Sequence, residues 1–236
     1  MTREFGLSSD TGANSHHIAY FDRTDEPVRN PGMGLIGYSY SDNMWVEHGT
    51  PPRPFEPDAF ERMLQLPHCD HLYVRFNWRE VQKVPGKLDL PAPLRATLEA
   101  VEKHRKPWSF RVMQALPQAA YPYAVPEYLV DKLSWVEDLA PSRFNGGPRF
   151  MPVYDEVYLS HWRELLFLLA QQFDGHPLLE FVDISGYGKW GELHHYPRDS
   201  FEVPEHGAVI KRLVDDHLAA FANTPAVMQL HPSWTP

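Results

Sequence analysis

Short apolar segments with the composition of β-strands alternate along this chain with longer segments of helical periodicity. A strand followed by a helix, repeated in succession, predicts parallel strands with the connecting helices packed on their faces. The strand segments are almost continuously apolar, which is typical of strands buried on both sides. The alternation therefore predicts an α/β fold, built either as a doubly wound open sheet or as a (β/α)8 barrel.

The predicted strands are rich in β-branched and aromatic residues, and the predicted helices carry apolar residues three and four positions apart. A long proline-rich segment at residues 117–152 interrupts the alternation, and its length is typical of a functional loop. Within it, residues 125–133 predict a short helix. The strands are predicted at residues 32–41, 71–81, 108–116, 178–188 and 226–231, and the long helices at 56–66, 90–106, 155–175 and 205–223.

Two absent motifs favour the barrel over the doubly wound sheet. No G-x-G-x-x-G follows the first predicted strand, and the chain contains no G-x-x-x-x-G-K-[ST] phosphate-binding loop. About five strand–helix units use up the 236 residues, whereas a closed barrel needs eight. We therefore expect residues 27–236 to be an incomplete, N-terminal portion of a (β/α)8 barrel, preceded by a flexible lead-in at residues 1–26.

Charge and hydropathy restrict the partners of the chain. The net charge of -9 and the sequence pI of about 5.8 argue against nucleic acid or an anionic membrane, since either would require a basic surface. No segment approaches the ~20 apolar residues of a membrane span, and the polar N-terminus does not resemble a secretory signal. With Cys69 as its single cysteine, the chain has no intramolecular disulfide. We expect a cytoplasmic protein, and no motif indicates a cofactor.

The predicted strand ends carry the candidate ligand-binding residues, because barrel chemistry lies at the C-terminal ends of the strands. Aromatic rings, carboxylates, amides and guanidiniums are combined there, as recognition of sugar rings requires. His68 and His71 precede the second strand, so we expect them to be structural or exposed. Arg111 and Gln229 also stand at strand ends. The residues expected to bind substrate are Tyr38, Tyr40, Arg75, Asn77, Trp78, Gln114, Asp183, Tyr187, Trp190, His194 and His231.

Several of these residues have an equally good structural interpretation. Trp78 and Trp190 suit either a sugar platform or the hydrophobic core. Arg75 lies inside an apolar strand, where a guanidinium requires a partner. It therefore has either a role in the site or a buried ion pair with Glu80 or Asp183.

Two segments resemble known barrel families. The segment YVRFNWREVQKVPGKLDL, residues 73–90, resembles the second-strand region of barrel glycosidases of glycoside hydrolase clan A. The segments NPGMG (30–34) and GYGKWGELHH (186–195) are similar to a little-characterised barrel family that opens with Asn-Pro-x-x-Gly and has Gly-x-Trp-Gly-Glu at strand four. The first match includes Arg75, Trp78, Pro85, Gly86 and Asp89.

The resemblance to clan A implies a retaining glycosidase that acts on an oligo- or polysaccharide. It places the acid/base at Glu192, at the end of the fourth strand, and the nucleophile on a seventh strand that these residues do not include. In retaining enzymes the two carboxyl groups lie ~5–5.5 Å apart. The clan has Asn immediately before the acid/base, whereas this chain has Gly191. Taken by itself, Glu192 is either a catalytic or ligand-contacting carboxylate or an exposed loop residue.

Two other functions remain open at this point. The missing Asn and the missing strand-seven carboxylate suggest a barrel that binds carbohydrate without catalysis. A metal-dependent barrel hydrolase is the third possibility, with His194, His195, His231 and Asp183 as ligands, although ordinary loop positions suit the first two histidines better.

Overall fold

The computed structural model describes residues 35–40, 57–66, 69–115, 122–137, 150–193 and 206–229. The strands in these ranges are β1 (Leu35–Tyr40), β2 (Cys69–Asn77), β3 (Trp108–Met113), β4 (Trp135–Glu137), β5 (Phe150–Pro152), β6 (Leu179–Asp183) and β7 (Ala226–Val227). The helices are α1 (Pro57–Leu64), α2 (Trp78–Val81), α3 (Ala92–His104), α4 (Glu127–Val130), α5 (Glu156–Phe173) and α6 (His206–Ala220), and a 3-10 turn covers Lys189–Gly191.

The main sheet has five parallel strands in the order β1-β2-β3-β6-β7, which is also their order in the chain. A doubly wound sheet reverses its strand order at a switch point. No reversal occurs among the described strands, so right-handed crossovers place the connecting helices on one face, as in a (β/α)8 barrel. The predicted barrel-type α/β fold is confirmed, and within the described ranges the sheet is open rather than closed.

Strand β2 shows how the sheet separates two environments. Its apolar residues Val74 and Phe76 are buried in the hydrophobic core, where the Phe76 ring stacks near Phe110 of β3 at 5.5 Å between centroids. Because successive side chains of a strand point to opposite faces, Tyr73 and Arg75 lie on the inner face, away from the helices. The alternation of apolar and polar residues in β2 therefore places its polar side chains on the inner face of the sheet, away from the helices.

Helix α5 supplies the largest apolar surface that covers the sheet. It begins after Asp155, whose side chain accepts a hydrogen bond of 3.0 Å from the Tyr158 backbone N–H and thereby caps the first turn. Trp162 and Leu169 are fully buried on the face that the sequence predicted for this helix. Burial of this face fixes α5 against the sheet and orients the loop that follows β6.

The structure differs from the sequence prediction at several places. The predicted strand at 178–188 ends at Asp183, and a loop with a 3-10 turn follows it. The predicted strand at residues 71–81 ends at Asn77, and α2 follows it directly, stabilised by a 2.6 Å hydrogen bond from the Trp78 indole to Gln82 one turn later. The segment 117–152 contains β4 and β5, which pair as an antiparallel ribbon in addition to the predicted short helix. The last predicted strand, at 226–231, is reduced to the two residues of β7.

The remaining general predictions concern the lead-in, the membrane and the cysteine. Residues 1–26 lie outside the described residues. None of the helices in the described ranges has the length and apolar character that crossing a bilayer requires. Cys69 is a free, buried thiol at the start of β2.

Candidate active site

Two arginines at the carboxyl ends of neighbouring strands form the centre of the site. Arg75 of β2 and Arg111 of β3 are direct partners in the parallel register. Asp183 is the last residue of β6, and Glu192 follows the 3-10 turn after that strand. The carboxyl ends of parallel strands meet at one edge of a sheet, so these four charged side chains come together there.

The Arg111 guanidinium binds both carboxylates. Its Nη1 lies 2.8 Å from Glu192 Oε1, while its Nη2 and Nε lie 2.8 and 3.0 Å from Asp183 Oδ2. The Nη2 also donates to Gln229 Oε1 at 3.2 Å, just beyond β7. With its side chain only 6% exposed, Arg111 connects β3, β6, β7 and the loop after β6 through one cation.

Arg75 adds a second cation to the same carboxylate. Its Nη2 lies 3.0 Å from Glu192 Oε1, so that one oxygen accepts from two guanidiniums. Both guanidiniums lie over the Tyr73 ring, at 5.3 Å for Arg75 and 5.7 Å for Arg111, and the Tyr73 hydroxyl donates to Asp183. The sequence predicted a site role for Arg75 or an ion pair with Glu80 or Asp183, and the structure gives it an ion pair with Glu192 within the candidate site.

Burial sets the electrostatics of the two carboxyl groups. The Asp183 side chain is 10% exposed and that of Glu192 18%. Burial, and after it the negative charge of Glu192, raise the pKa of Asp183 to about 7. The bonds that Arg111 and Tyr73 donate to Asp183 act in the opposite direction, because they stabilise the ionised form. The site therefore holds one carboxyl group that changes its protonation near neutral pH.

In the loop from Gly186 to Glu192, position 191 lies too close to β3 to accommodate a Cβ. Gly191 has a φ of +67°, and a Cβ added there would lie 2.8 Å from the Val112 carbonyl oxygen at the end of β3. Trp190 also has a positive φ, of 55°, and its backbone N–H donates to the Ala115 carbonyl at 2.8 Å. An Asn at 191, the residue that the clan A pattern has before its acid/base, would meet the same obstacle.

Hydrogen bonds to buried side chains, two tyrosines and the amide of Gln114, fix the backbone of the same loop. The Gly188 N–H donates to the Tyr154 hydroxyl at 2.8 Å, and Gln114 Nε2 donates to the Gly188 carbonyl at 2.8 Å. The Tyr158 hydroxyl donates to the Gly186 carbonyl at 2.6 Å, and the Tyr187 ring packs 4.5 Å from that of Tyr154. Gln114 and Tyr187, both predicted to bind substrate, are buried supports of the loop.

The predicted residues divide into three groups. Arg75, Asp183 and Glu192 belong to one network of ion pairs around Arg111. Trp190 is half-buried and lies two positions before Glu192 in the sequence. Trp78 is 0% exposed and packs edge-on against Trp162 at 5.2 Å, which favours the core interpretation over the sugar platform. Asn77 is fully buried, and the backbones of Tyr38 and Tyr40 pair with those of Tyr73 and Arg75. The three remaining predicted residues, His194, His195 and His231, lie outside the described residues.

Three further residues belong to the network. Arg111 and Gln229 stood at predicted strand ends but were not among the predicted site residues, and Tyr73 was not identified at all. The signal for Tyr73 is the alternation of β2, in which it lies two positions before Arg75 and therefore on the same face.

A second polar cluster lies at the amino-terminal half of the inner face. His71 Nε2 is 2.6 Å from Ser109 Oγ, and its Nδ1 is 2.8 Å from Glu180, the extra residue of a bulge in β6. Burial lowers the pKa of His71, and the Glu180 charge counteracts this effect. Ser109 is fully buried, so we interpret this cluster as structural, as the sequence predicted for His71. No group of three or more potential metal ligands occurs among the described residues.

Solved structures with this fold include glycoside hydrolases. The family 5 glycoside hydrolase GH5_18 from Streptomyces cattleya, in complex with Manβ1-4GlcNAc, matches with a TM-score of 0.50 and 15% identity over 83% of this chain and 44% of its own. GH5_18 from Bifidobacterium longum subsp. longum, in complex with the same disaccharide, matches with a TM-score of 0.50 and 13% identity over 83% of this chain and 43% of its own.

At these identities the likeness shows the fold alone, which is a parallel α/β fold of the (β/α)8-barrel type. The chain spans less than half of the length of either structure. No protein-family model matches the sequence, and a search of curated proteins finds no match.

Proposed function

We propose that this chain provides the strand-four half of a barrel active site that hydrolyses glycosidic bonds in oligo- or polysaccharides, with Glu192 as the acid/base. The observation that supports this proposal is the placement of Glu192. It follows the fourth parallel strand at the carboxyl edge of the sheet, keeps a partly exposed side chain, and is held by two arginines from the preceding strands. This is the strand position of the acid/base in glycoside hydrolase clan A, which the sequence resembles.

The proposed reaction is the retaining double displacement. Glu192 donates a proton to the glycosidic oxygen while a second carboxylate attacks the anomeric carbon and forms a glycosyl ester. Glu192, now ionised, then removes a proton from the water that hydrolyses this ester. The resemblance to clan A assigns the second carboxylate to a seventh strand. The structural neighbours that bind Manβ1-4GlcNAc make a β-linked oligosaccharide the first substrate to examine.

Several residues are proposed to contact the sugar. Trp190, half-buried immediately before Gly191 and Glu192, is placed to offer its ring as a platform. Asp183 and Arg75 offer polar groups at the same edge. The remaining proposed contacts are Tyr38, Tyr40, His194 and His231.

One observation favours a second function, carbohydrate binding without catalysis. Glu192 Oε1 accepts from both Arg75 and Arg111, and two guanidiniums stabilise the ionised carboxylate. An ionised carboxylate is a hydrogen-bond acceptor for sugar hydroxyls but not a proton donor. Under this alternative the site binds an oligosaccharide and leaves it intact.

The substitution Glu192→Gln distinguishes the two functions when turnover is measured on aryl glycosides of differing leaving-group acidity. Loss of a general acid lowers the rate by ~10²–10⁴-fold on phenyl glycosides. The loss is much smaller on dinitrophenyl glycosides, because their phenolate leaves without protonation. Glu99→Gln, an exposed carboxylate on α3, is the matched control and retains full turnover.

Equal turnover by the wild-type protein and Glu192→Gln on both classes of glycoside would contradict the catalytic proposal. Calorimetric binding of oligosaccharides with no turnover of any glycoside by the wild-type protein would establish the binding function instead. Circular dichroism of each variant shows that the fold is retained.

A further inference from the structure

Asp183 and Glu192 are two carboxyl groups that share one buried cation. Arg111 gives its Nη2 and Nε to Asp183 and its Nη1 to Glu192, and all three side chains are largely buried. The two carboxylates differ in their other contacts. Among the described residues, Glu192 has a second guanidinium, that of Arg75, at 3.0 Å, whereas the further contact of Asp183 is the uncharged hydroxyl of Tyr73. Two cations therefore stabilise an ionised Glu192, and one stabilises an ionised Asp183.

We propose that Asp183 and Glu192 act as one acid–base unit that carries a single proton, which resides mainly on Asp183 in the resting site while Glu192 is ionised; the minor form of the same unit, with the proton on Glu192, is the one that donates it to the glycosidic oxygen. The effect of this arrangement on catalysis rests on the proposed function, whereas the location of the proton does not. Asp183 becomes a positioning residue, since it acts on the reaction through Arg111 and Glu192. The sequence suggested Asp183 only as a substrate contact.

The charges around the pair support this assignment. Among the described residues, β2 contributes Arg75 and Tyr73, β3 contributes Arg111, and the residue beyond β7 is the uncharged Gln229. Lys189, also buried, lies in the turn between the two carboxyl groups. Burial of a carboxylate is costly unless cations compensate it, so the group with fewer cationic contacts retains the proton.

The raised pKa of Asp183 is consistent with this geometry. Burial and the Glu192 charge together raise the pKa of Asp183 to about 7, from an ordinary value of 3.8. Two interacting carboxyl groups lose their protons in two successive steps that belong to the pair. The more acidic step occurs at Glu192 while Asp183 is still neutral, and the step near neutral pH occurs at Asp183 beside a charged Glu192.

This order of ionisation predicts an asymmetric response to substitution. Removal of the Glu192 charge by Glu192→Gln shifts the midpoint of the Asp183 titration to lower pH, by on the order of one unit. Asp183→Asn leaves the midpoint of the Glu192 titration almost unchanged, because Asp183 is already neutral when Glu192 ionises. If Glu192 held the proton instead, the two responses would be exchanged.

The experiment is an NMR titration of the whole chain labelled with ¹³C at the aspartate and glutamate carboxyl carbons. The two variants assign the two resonances, and no substrate is needed. Gln229→Ala is the matched control, since it removes an uncharged contact of Arg111 and leaves both midpoints in place. Tyr73→Phe removes a donor to ionised Asp183 and raises the Asp183 midpoint.

A wild-type Asp183 that titrates at its ordinary value overturns the proposal without recourse to any variant. An Asp183 midpoint that Glu192→Gln does not move, or a Glu192 midpoint that Asp183→Asn lowers by a similar amount, also overturns it. The asymmetric pattern in a protein that cleaves no glycoside would uphold the coupled pair and reject the proposed hydrolysis.

If the protein cleaves glycosides, a second readout follows. In Asp183→Asn, Glu192 must hold its proton against two guanidiniums, so the alkaline limb of the kcat/KM profile moves to lower pH. A purely structural role of Asp183 would lower the rate without moving this limb.

Discussion

Gly191 permits a quantitative test of how the loop presents Glu192. In Gly191→Ala the new Cβ occupies a backbone with a φ of +67° and lies 2.8 Å from the Val112 carbonyl oxygen. The left-handed conformation costs a non-glycine residue about 1–2 kcal/mol. Because the clashing atom belongs to the backbone of β3 and cannot rotate away, overpacking adds about 1–3 kcal/mol. The substitution should lower the free energy of unfolding by about 2–5 kcal/mol.

Two other glycines separate these contributions. Gly86 has nearly the same φ, +70°, but a Cβ there meets only Glu164 Oε1 at 3.8 Å, so Gly86→Ala measures the conformational cost alone. Gly207 lies in the first turn of α6 with nothing within 4 Å of a Cβ, and Gly207→Ala should raise stability by about 0.5 kcal/mol. Urea unfolding of the three variants gives the comparison, with an unchanged m-value as evidence of the same transition.

The refuting result is specific. If Gly191→Ala and Gly86→Ala destabilise the protein equally, the Val112 carbonyl does not restrict residue 191 and would not be an obstacle to Asn there. If Gly191→Ala is the more destabilising, the close approach of the loop to β3 determines which residue can precede Glu192.

Two further predictions concern His217 and Trp78. Burial lowers the pKa of His217 to about 4, so the folded protein resists its protonation, and about 3 kcal/mol of stability present above pH 6.5 is lost as the pH falls to 4. Because the raised pKa of Asp183 changes the slope in the opposite direction, the quantity to measure by urea unfolding is the difference in stability between wild type and His217→Gln. This difference shifts in favour of the variant by about 3 kcal/mol as the pH falls from 6.5 to 4, and parallel curves would contradict the assignment. Trp78→Ala, at a fully buried core position, should lower the free energy of unfolding by about 3–5 kcal/mol in the same assay, and a change in sugar affinity without a loss of stability would restore the sugar-platform interpretation.

The sequence was sufficient for those features that depend on local pattern. The β-branched and aromatic residues through 71–77 identify a strand, and the rule that barrel chemistry lies at strand ends then places Arg75, Asp183 and Glu192 among the candidates. Tyr73 escaped the prediction because a tyrosine among apolar residues is typical of a core, and only its hydroxyl contact with Asp183 distinguishes it.

Features that depend on distant parts of the chain were not predictable. The ribbon of β4 and β5 forms by pairing Trp135 with Pro152 and Glu137 with Phe150, contacts that no short-range period encodes. Gly191 is required because of a carbonyl on β3, which is remote in sequence. The helical turn α2 was missed for a different reason: its Trp78–Gln82 side-chain bond is local, but the β-branched and aromatic composition of the segment favoured a strand.

The sequential strand order also determines how the molecule is assembled in time. Each strand of the main sheet pairs with the parallel strand that precedes it in the chain, so the sheet can grow one unit at a time from β1 as the chain leaves the ribosome. The Arg111 network cannot form unit by unit in this way, because its hydrogen bond to Gln229 joins residues 118 positions apart. Contacts of long sequence separation form late, since their loop-closure entropy must first be overcome. During refolding, the spectroscopic signals of helix and sheet should therefore appear before the arginine–carboxylate cluster forms. A ligand of that cluster would bind only chains in which β7 and Gln229 are already in place.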